Sequence, residues 1–240
     1  AIGYDALQDN TTGSNNVAVG YQTLDLNTTA NDNTALGAFV LGANTTGANN
    51  VGVGNSALRN NTANNNTSVG NQSLEANTTG TSNVAVGYKA LMTSTTSSEN
   101  TAVGKEALRL MTTGSANTAV GNRALEDCTT GSQNVAVGQR ALYEQTTGEK
   151  NTALGWNAGG SITAASFNTY VGQRAGDANS SSNNTAVGSE SLSSNCGPDN
   201  TAVGANALLE CTGAENVGVG ASALAANTTG NNNTAVGAYS

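Results

Sequence analysis

Short apolar triplets recur along this chain, separated by polar stretches of nearly constant length. Val17-Ala18-Val19 is closed by Gly20, Thr34-Ala35-Leu36 by Gly37, and Val84-Ala85-Val86 by Gly87. The closing glycine falls at 3, 20, 37, 54, 70, 87, 104, 121, 138, 155, 172, 188, 204, 220 and 237, with ten intervals of 17 residues and four of 16. The period fills the sequence without a break, so residues 1–240 read as a single repeat domain.

Each triplet alternates with period two, which predicts a short β-strand showing its β-branched residues to one face. That face is expected to be the interior, with Val84, Val86 and Leu91 as the inward positions of one coil. Glycine lets the chain turn where a Cβ would clash. An Ala-Leu pair follows, as at Ala90-Leu91 and Ala107-Leu108, and reads as a second inward anchor. Asn-Thr-Thr-Gly at 10–13, 44–47, 77–80 and 227–230 is turn chemistry. One repeat thus makes one coil, which buries its apolar edge only against another coil. The period is shorter than the 20–29 residues of leucine-rich repeats and unlike the longer helical repeats. The predicted fold is all-β: a parallel β-roll, or β-solenoid, of about 15 stacked 16–17-residue coils. At ~4.8 Å per coil such a stack is a rod of roughly 65–70 Å.

Four residues before the glycine stands asparagine: Asn16, Asn33, Asn50, Asn66, Asn83, Asn100, Asn117, Asn134, Asn151, Asn168, Asn184, Asn200, Asn216 and Asn233. Identical amides stacked at coil spacing can hydrogen-bond as a ladder, and a structural ladder is the role expected of this column.

Composition narrows the function. Charged residues make up 10% of the chain, against roughly 25% in an average globular domain. The net charge of -8 disfavours nucleic acid and anionic membrane as partners. Histidine is absent, which removes the commonest general base and metal ligand. The carboxylates of Glu106, Glu126 and Glu144 sit at changing coil positions. No catalytic, metal or cofactor site is predicted, and the chain does not read as an enzyme. Cys128, Cys196 and Cys211 are too few for a disulfide framework. Cys196 and Cys211 lie in neighbouring repeats, offset by about one position, which leaves their pairing open. No apolar run approaches the ~20 residues of a membrane span. The chain opens and closes inside a repeat, without initiator Met or signal peptide, and reads as a segment of a longer fibre.

Two stretches are candidate ligand surfaces. Gly159 and Gly176 stand where leucine is usual, and Tyr170 replaces the strand alanine. Tyr143, Trp156, Phe167 and Tyr170 gather nearby, and exposed aromatics are platforms for sugars and protein partners. In the variable column two after the glycine, Arg123 and Arg140 lie one coil apart, where an acidic sugar could bridge them. A threonine array could order ice, but the Asn-Thr-Thr threonines lie in a turn and the array breaks at Ser94, Met111 and Cys128.

Asn-[Thr/Val]-Ala-[Val/Leu]-Gly, repeated in register and followed by Ala-Leu, resembles the head repeat of trimeric autotransporter adhesins. The longer form at 10–24, Asn-Thr-Thr-Gly-Ser-Asn-Asn-Val-Ala-Val-Gly-Tyr-Gln-Thr-Leu, is similar to repeats of tail-fibre-like proteins of phages and bacteria. The resemblance covers the whole chain. It implies a left-handed parallel β-roll and a homotrimer, with the chain itself as first partner and a cell-surface glycan or receptor as second. It implies an extracellular place, on a virion tail fibre or a bacterial surface, and a non-catalytic shaft or head of an attachment fibre. A repeat of 16–17 residues is longer than the usual head repeat. Columns of small residues, Ala85/Ala102/Ala119/Ala136 and Ala90/Ala107/Ala124/Ala141, would let chains approach closely. The competing expectation is a monomeric β-solenoid that binds glycan or ice.

Overall fold

The computed structural model describes residues 1–240 and is an all-β parallel β-solenoid of about 13 turns, without helix. It comprises two compact units, Ala1–Asn117 and Thr118–Ser240.

In the first unit every strand is one triplet: β1 (Val17–Val19), β2 (Thr34–Leu36), β3 (Val51–Val53), β4 (Thr67–Val69), β5 (Val84–Val86) and β6 (Thr101–Val103). Each pairs in parallel with the next and in register, so that Val17 faces Thr34 and Ala18 faces Ala35. The same register runs through to Val84 facing Thr101. β-Branched residues suit this pleated surface.

The strands face the opposite way to the sequence expectation. Ala18, Ala35, Ala85 and Ala102 are fully buried, whereas Val17 is 50%, Leu36 48% and Val84 36% exposed. Alternation fixes which residues share a face, and the interior decides which face that is. Leu24, Leu41, Leu58, Leu74, Leu91 and Leu108 enter from the opposite wall and are buried. A Cβ at Gly52, the strand centre of its coil, would already stand 2.4 Å from Cγ1 of Val40. Where leucine fills the opposite wall the strand centre holds a small residue, and valine and threonine turn outward. The two alanine columns are interior as well, since Ala90 and Ala107 are buried, and they cannot be the surface by which chains approach.

The corner after each strand needs glycine on two counts. Gly20 has φ +136°, and a Cβ on it would stand 2.1 Å from the carbonyl oxygen of Gly37. Two and four residues later the chain is left-handed at residues other than glycine, with φ of 47° at Gln22 and 52° at Leu24. Such residues cost about 1–2 kcal/mol each. Their amides are bonded into the stack, Gln22 N–H to the Tyr4 carbonyl at 2.9 Å and Leu24 N–H to the Val40 carbonyl at 3.0 Å.

Asparagine makes much of the rest of the interior. Asn33 Oδ1 accepts from the backbone N–H of Asn50 at 2.9 Å and from its Nδ2 at 3.1 Å. Asn33 Nδ2 donates in turn to the Gly47 carbonyl at 2.9 Å. The same links carry the column through Asn66, Asn83, Asn100 and Asn117. A second amide column, read from the sequence only as turn chemistry, lies in the turn. Asn27 donates to Asn10 at 2.8 Å and Asn77 to Asn61 at 2.6 Å. Ser94 and Met111, the breaks noted in the threonine array, belong to this buried column. The neighbouring turn threonines spend their hydroxyls on the backbone, as Thr11 does on the Thr28 carbonyl at 2.9 Å.

The second unit repeats the plan with β7 (Thr118–Val120), β8 (Val135–Val137), β9 (Thr152–Leu154), β10 (Thr169–Val171), β11 (Thr185–Val187), β12 (Thr201–Val203), β13 (Val217–Val219) and β14 (Thr234–Val236), paired consecutively in parallel. Its asparagine column joins Asn134, Asn151, Asn168, Asn184, Asn200, Asn216 and Asn233 through backbone N–H to side-chain oxygen bonds. One coil is refilled: Tyr170 occupies the strand centre, opposite Gly159 and Gly176. No helix is long and apolar enough to cross a membrane.

Candidate binding surface

The reversed strands put two parallel columns on the outer face of each unit. In the first unit these are Val17, Thr34, Val51, Thr67, Val84 and Thr101, beside Val19, Leu36, Val53, Val69, Val86 and Val103. In the second, Val120, Val135, Val187 and Val203 are 36–39% exposed and Leu154 48%. These columns carry methyl and hydroxyl groups only.

Three of the residues singled out from the sequence do meet. The Tyr143 ring has the guanidinium carbons of Arg123 and Arg140 at 5.1 and 4.4 Å from its centroid. Arg123 also binds the Glu126 carboxylate through Nε, and Glu126 is 1% exposed. Arg123 is thus engaged by the ring and a buried carboxylate, whereas Arg140 meets the ring and keeps a buried Nε without a hydrogen-bond partner. Trp156 is 46% exposed just after the glycine corner of its coil. Phe167 is 55% exposed at the other end of the strand column, with Lys150 Nζ 5.0 Å from its ring centroid. Tyr170 corrects the expectation of a ligand platform: its ring is fully buried in the space left by the two glycines, and its hydroxyl has no hydrogen-bond partner. Burial pushes its phenol well above the usual range.

The three cysteines are free and buried. Burial pushes the Cys128 thiol up to about 12. The Cys196 thiol donates to the Cys211 carbonyl at 2.9 Å. Its hydrogen bond to the Cys211 sulfur, together with burial, drives its ionisation far upward, and the same bond draws Cys211 downward. No group of three His, Cys, Asp or Glu side chains is placed to hold a metal among the described residues.

One surface went unread in the sequence. Tyr4 stacks on Tyr21 with centroids 5.4 Å apart and planes at 10°. Tyr21 meets Phe39 edge-on at 5.3 Å, and the Arg59 guanidinium lies 5.2 Å from the Phe39 centroid. Beside Phe39 opens a groove of about 250 Å³. The available signals were two tyrosines directly after successive motif glycines and the placing of Gly42 between Asp25 and Arg59 in its column.

Comparison with protein-family models, curated proteins and solved structures finds no match for this chain.

Proposed function

We propose that the chain is a non-catalytic shaft or head segment of a homotrimeric surface fibre used for attachment, extracellular, on a phage tail fibre or a bacterial adhesin. Its fifteen repeats form one left-handed β-roll in this reading. The observation that supports it is the outer sheet face of each unit, where in-register valine, leucine and threonine columns are partly exposed, with Val17, Leu36, Val84, Val120, Val135 and Leu154 at 36–50%. Covering the rest of each valine or leucine contributes on the order of 1 kcal/mol per residue. Residues of similar shape stacked at constant spacing offer the same columns on another copy a matching surface. The absence of histidine from the sequence agrees with a structural role.

Light scattering tests this on the segment assembled with a trimerising fusion that is then cleaved off. A mass near three times 23.7 kDa supports the fibre. A folded monomer overturns the trimer and favours the second reading, a monomeric binding solenoid for glycan or ice. One observation favours ice in particular: Thr34, Thr67 and Thr101 lie on the outer strand column, beside valines and leucines on a parallel sheet. Thermal hysteresis of the monomer tests that reading, and its absence removes ice.

A further inference from the structure

The aromatic strip of the first unit and the groove beside it carry an inference of their own. The fifth residue after each motif glycine runs Asp25, Gly42, Arg59 over three successive coils. Gly42 is not required to be glycine. Its φ lies outside the left-handed region, and a Cβ would meet nothing closer than Asp25 Oδ1 at 3.5 Å, an ordinary contact. Neither backbone nor crowding accounts for the missing side chain. What its absence creates is the opening between a carboxylate and a guanidinium.

Phe39 walls this opening, and Gln22 and Asn60 complete its polar lining beside Asp25 and Arg59. Arg59 is steadied over the Phe39 ring, and the rings of Tyr21 and Tyr4 continue the wall across two more coils. Tyr4 is 68% and Tyr21 47% exposed, so ring surface remains uncovered.

We propose that this strip and groove bind a neutral oligosaccharide of pyranose units. A pyranose has an apolar C–H face and a rim of hydroxyls that donate and accept. The rings match the face. The Asp25 carboxylate accepts and the Arg59 fork donates, with Gln22 and Asn60 adding groups that can do either. The groove is smaller than the ~300–1,000 Å³ of sites that enclose a drug-sized ligand. It therefore suits one sugar ring, with its neighbours lying along the strip. Neutral rather than acidic sugar follows from the local charge: Asp5 and Asp9 add negative potential at Asp25. Burial is the larger cause of the upward displacement of the Asp25 carboxyl, which marks a partly dehydrated acceptor. The proposal deepens the attachment reading, on which its biological sense rests, by giving the receptor class and the place of contact.

The test is titration calorimetry at millimolar sugar with cellotetraose, maltotetraose and mannotetraose as probes. The expected result is saturable binding of at least one of them, weakened about tenfold or more by Gly42→Leu with unchanged melting. Leucine fills the groove while removing nothing. If Gly42→Leu fails to fold, Asp25→Asn, which keeps the shape, decides on the same terms. No saturable binding of any probe, or binding indifferent to these variants, overturns the site. Mass measured on the same sample separates the two readings. A monomer that binds sugar overturns the trimer and keeps the site, and a trimer that binds none overturns the site alone.

Discussion

Gly176 holds open the space that the Tyr170 ring fills: a Cβ there would stand 2.3 Å from both Cδ1 and Cε1 of that ring. In the regular coils leucine reaches in from the turn wall and alanine backs it from the strand. Around Tyr170 the sizes are exchanged across the interior, with Gly159 and Gly176 on the turn wall and the large ring on the strand. Volume is conserved while its source moves.

The exchange predicts a compensation. Tyr170→Ala alone should cost about 3–5 kcal/mol through the cavity it leaves. Gly176→Leu alone should cost about 1–3 kcal/mol or more through overpacking. Combining Tyr170→Ala with Gly159→Leu and Gly176→Leu restores the common pattern, and leucine is already accepted in this left-handed position at Leu24 and Leu41. Urea unfolding of the triple variant should recover most of the loss, and losses that merely add would refute the exchange.

A second contrast tests which face of the strand is inside. Ala85→Asp buries an unpaired charge and should cost several kcal/mol, enough to abolish cooperative unfolding. Val84→Asp, one residue away, should leave the fold of a single chain intact and lower the mass of any assembly made through the outer face. Equal melting losses for the two variants would contradict the burial pattern of β5.

Much of this was legible in the sequence for definite reasons. Glycine and asparagine columns show because one backbone geometry and one amide geometry repeat. Leucines such as Leu24 and Leu91 show as interior because nothing else in the coil is as large and apolar. The facing of Val84 and Ala85 was not legible, since period two groups residues by face without assigning the face to core or solvent. That assignment depends on what fills the opposite wall, where buried leucines such as Leu91 leave the strand a small residue such as Ala85. Tyr170 misled for the same reason: an aromatic reads as surface or core only once the partner wall is known. The strip from Tyr4 to Arg59 was missed because its parts lie in different columns and combine only across coils.

The amide ladder should be locally sensitive. Asn83 Oδ1 accepts the Asn100 backbone N–H at 3.0 Å, and Asn83 Nδ2 serves the Ser97 carbonyl at 2.9 Å. Asn83→Ala strands both buried groups and should cost about 2–5 kcal/mol. Asn71→Ala, at an exposed corner position, should stay within about 0.5 kcal/mol. Denaturant midpoints at constant m-value distinguish the two.

Alkaline pH should weaken the fold. The Cys128 thiol stays protonated when folded up to about 12 and loses its proton near 9 when unfolded. A raised value means stability that is complete below the unfolded value and lost as pH rises toward the folded one. The phenol of Tyr170 acts in the same sense. Melting temperature should therefore fall between pH 9 and pH 12, and Cys128→Ala should flatten part of that fall. A profile unchanged by Cys128→Ala would rule out the thiol as its cause.

The ladder also bears on how such a chain can change length over generations. Asn33 and Asn50 are 17 residues apart and Asn50 and Asn66 are 16, yet both steps close the same N–H to Oδ1 bond at 2.9 Å. The missing residue is absorbed in the turn, where the Ala63 carbonyl takes the place that Gly47 holds one coil earlier. A duplicated or deleted coil thus presents its neighbours with the same donors and acceptors as before. Recombination between regular repeats can lengthen or shorten the stack in whole steps while the ladder keeps the same bonds.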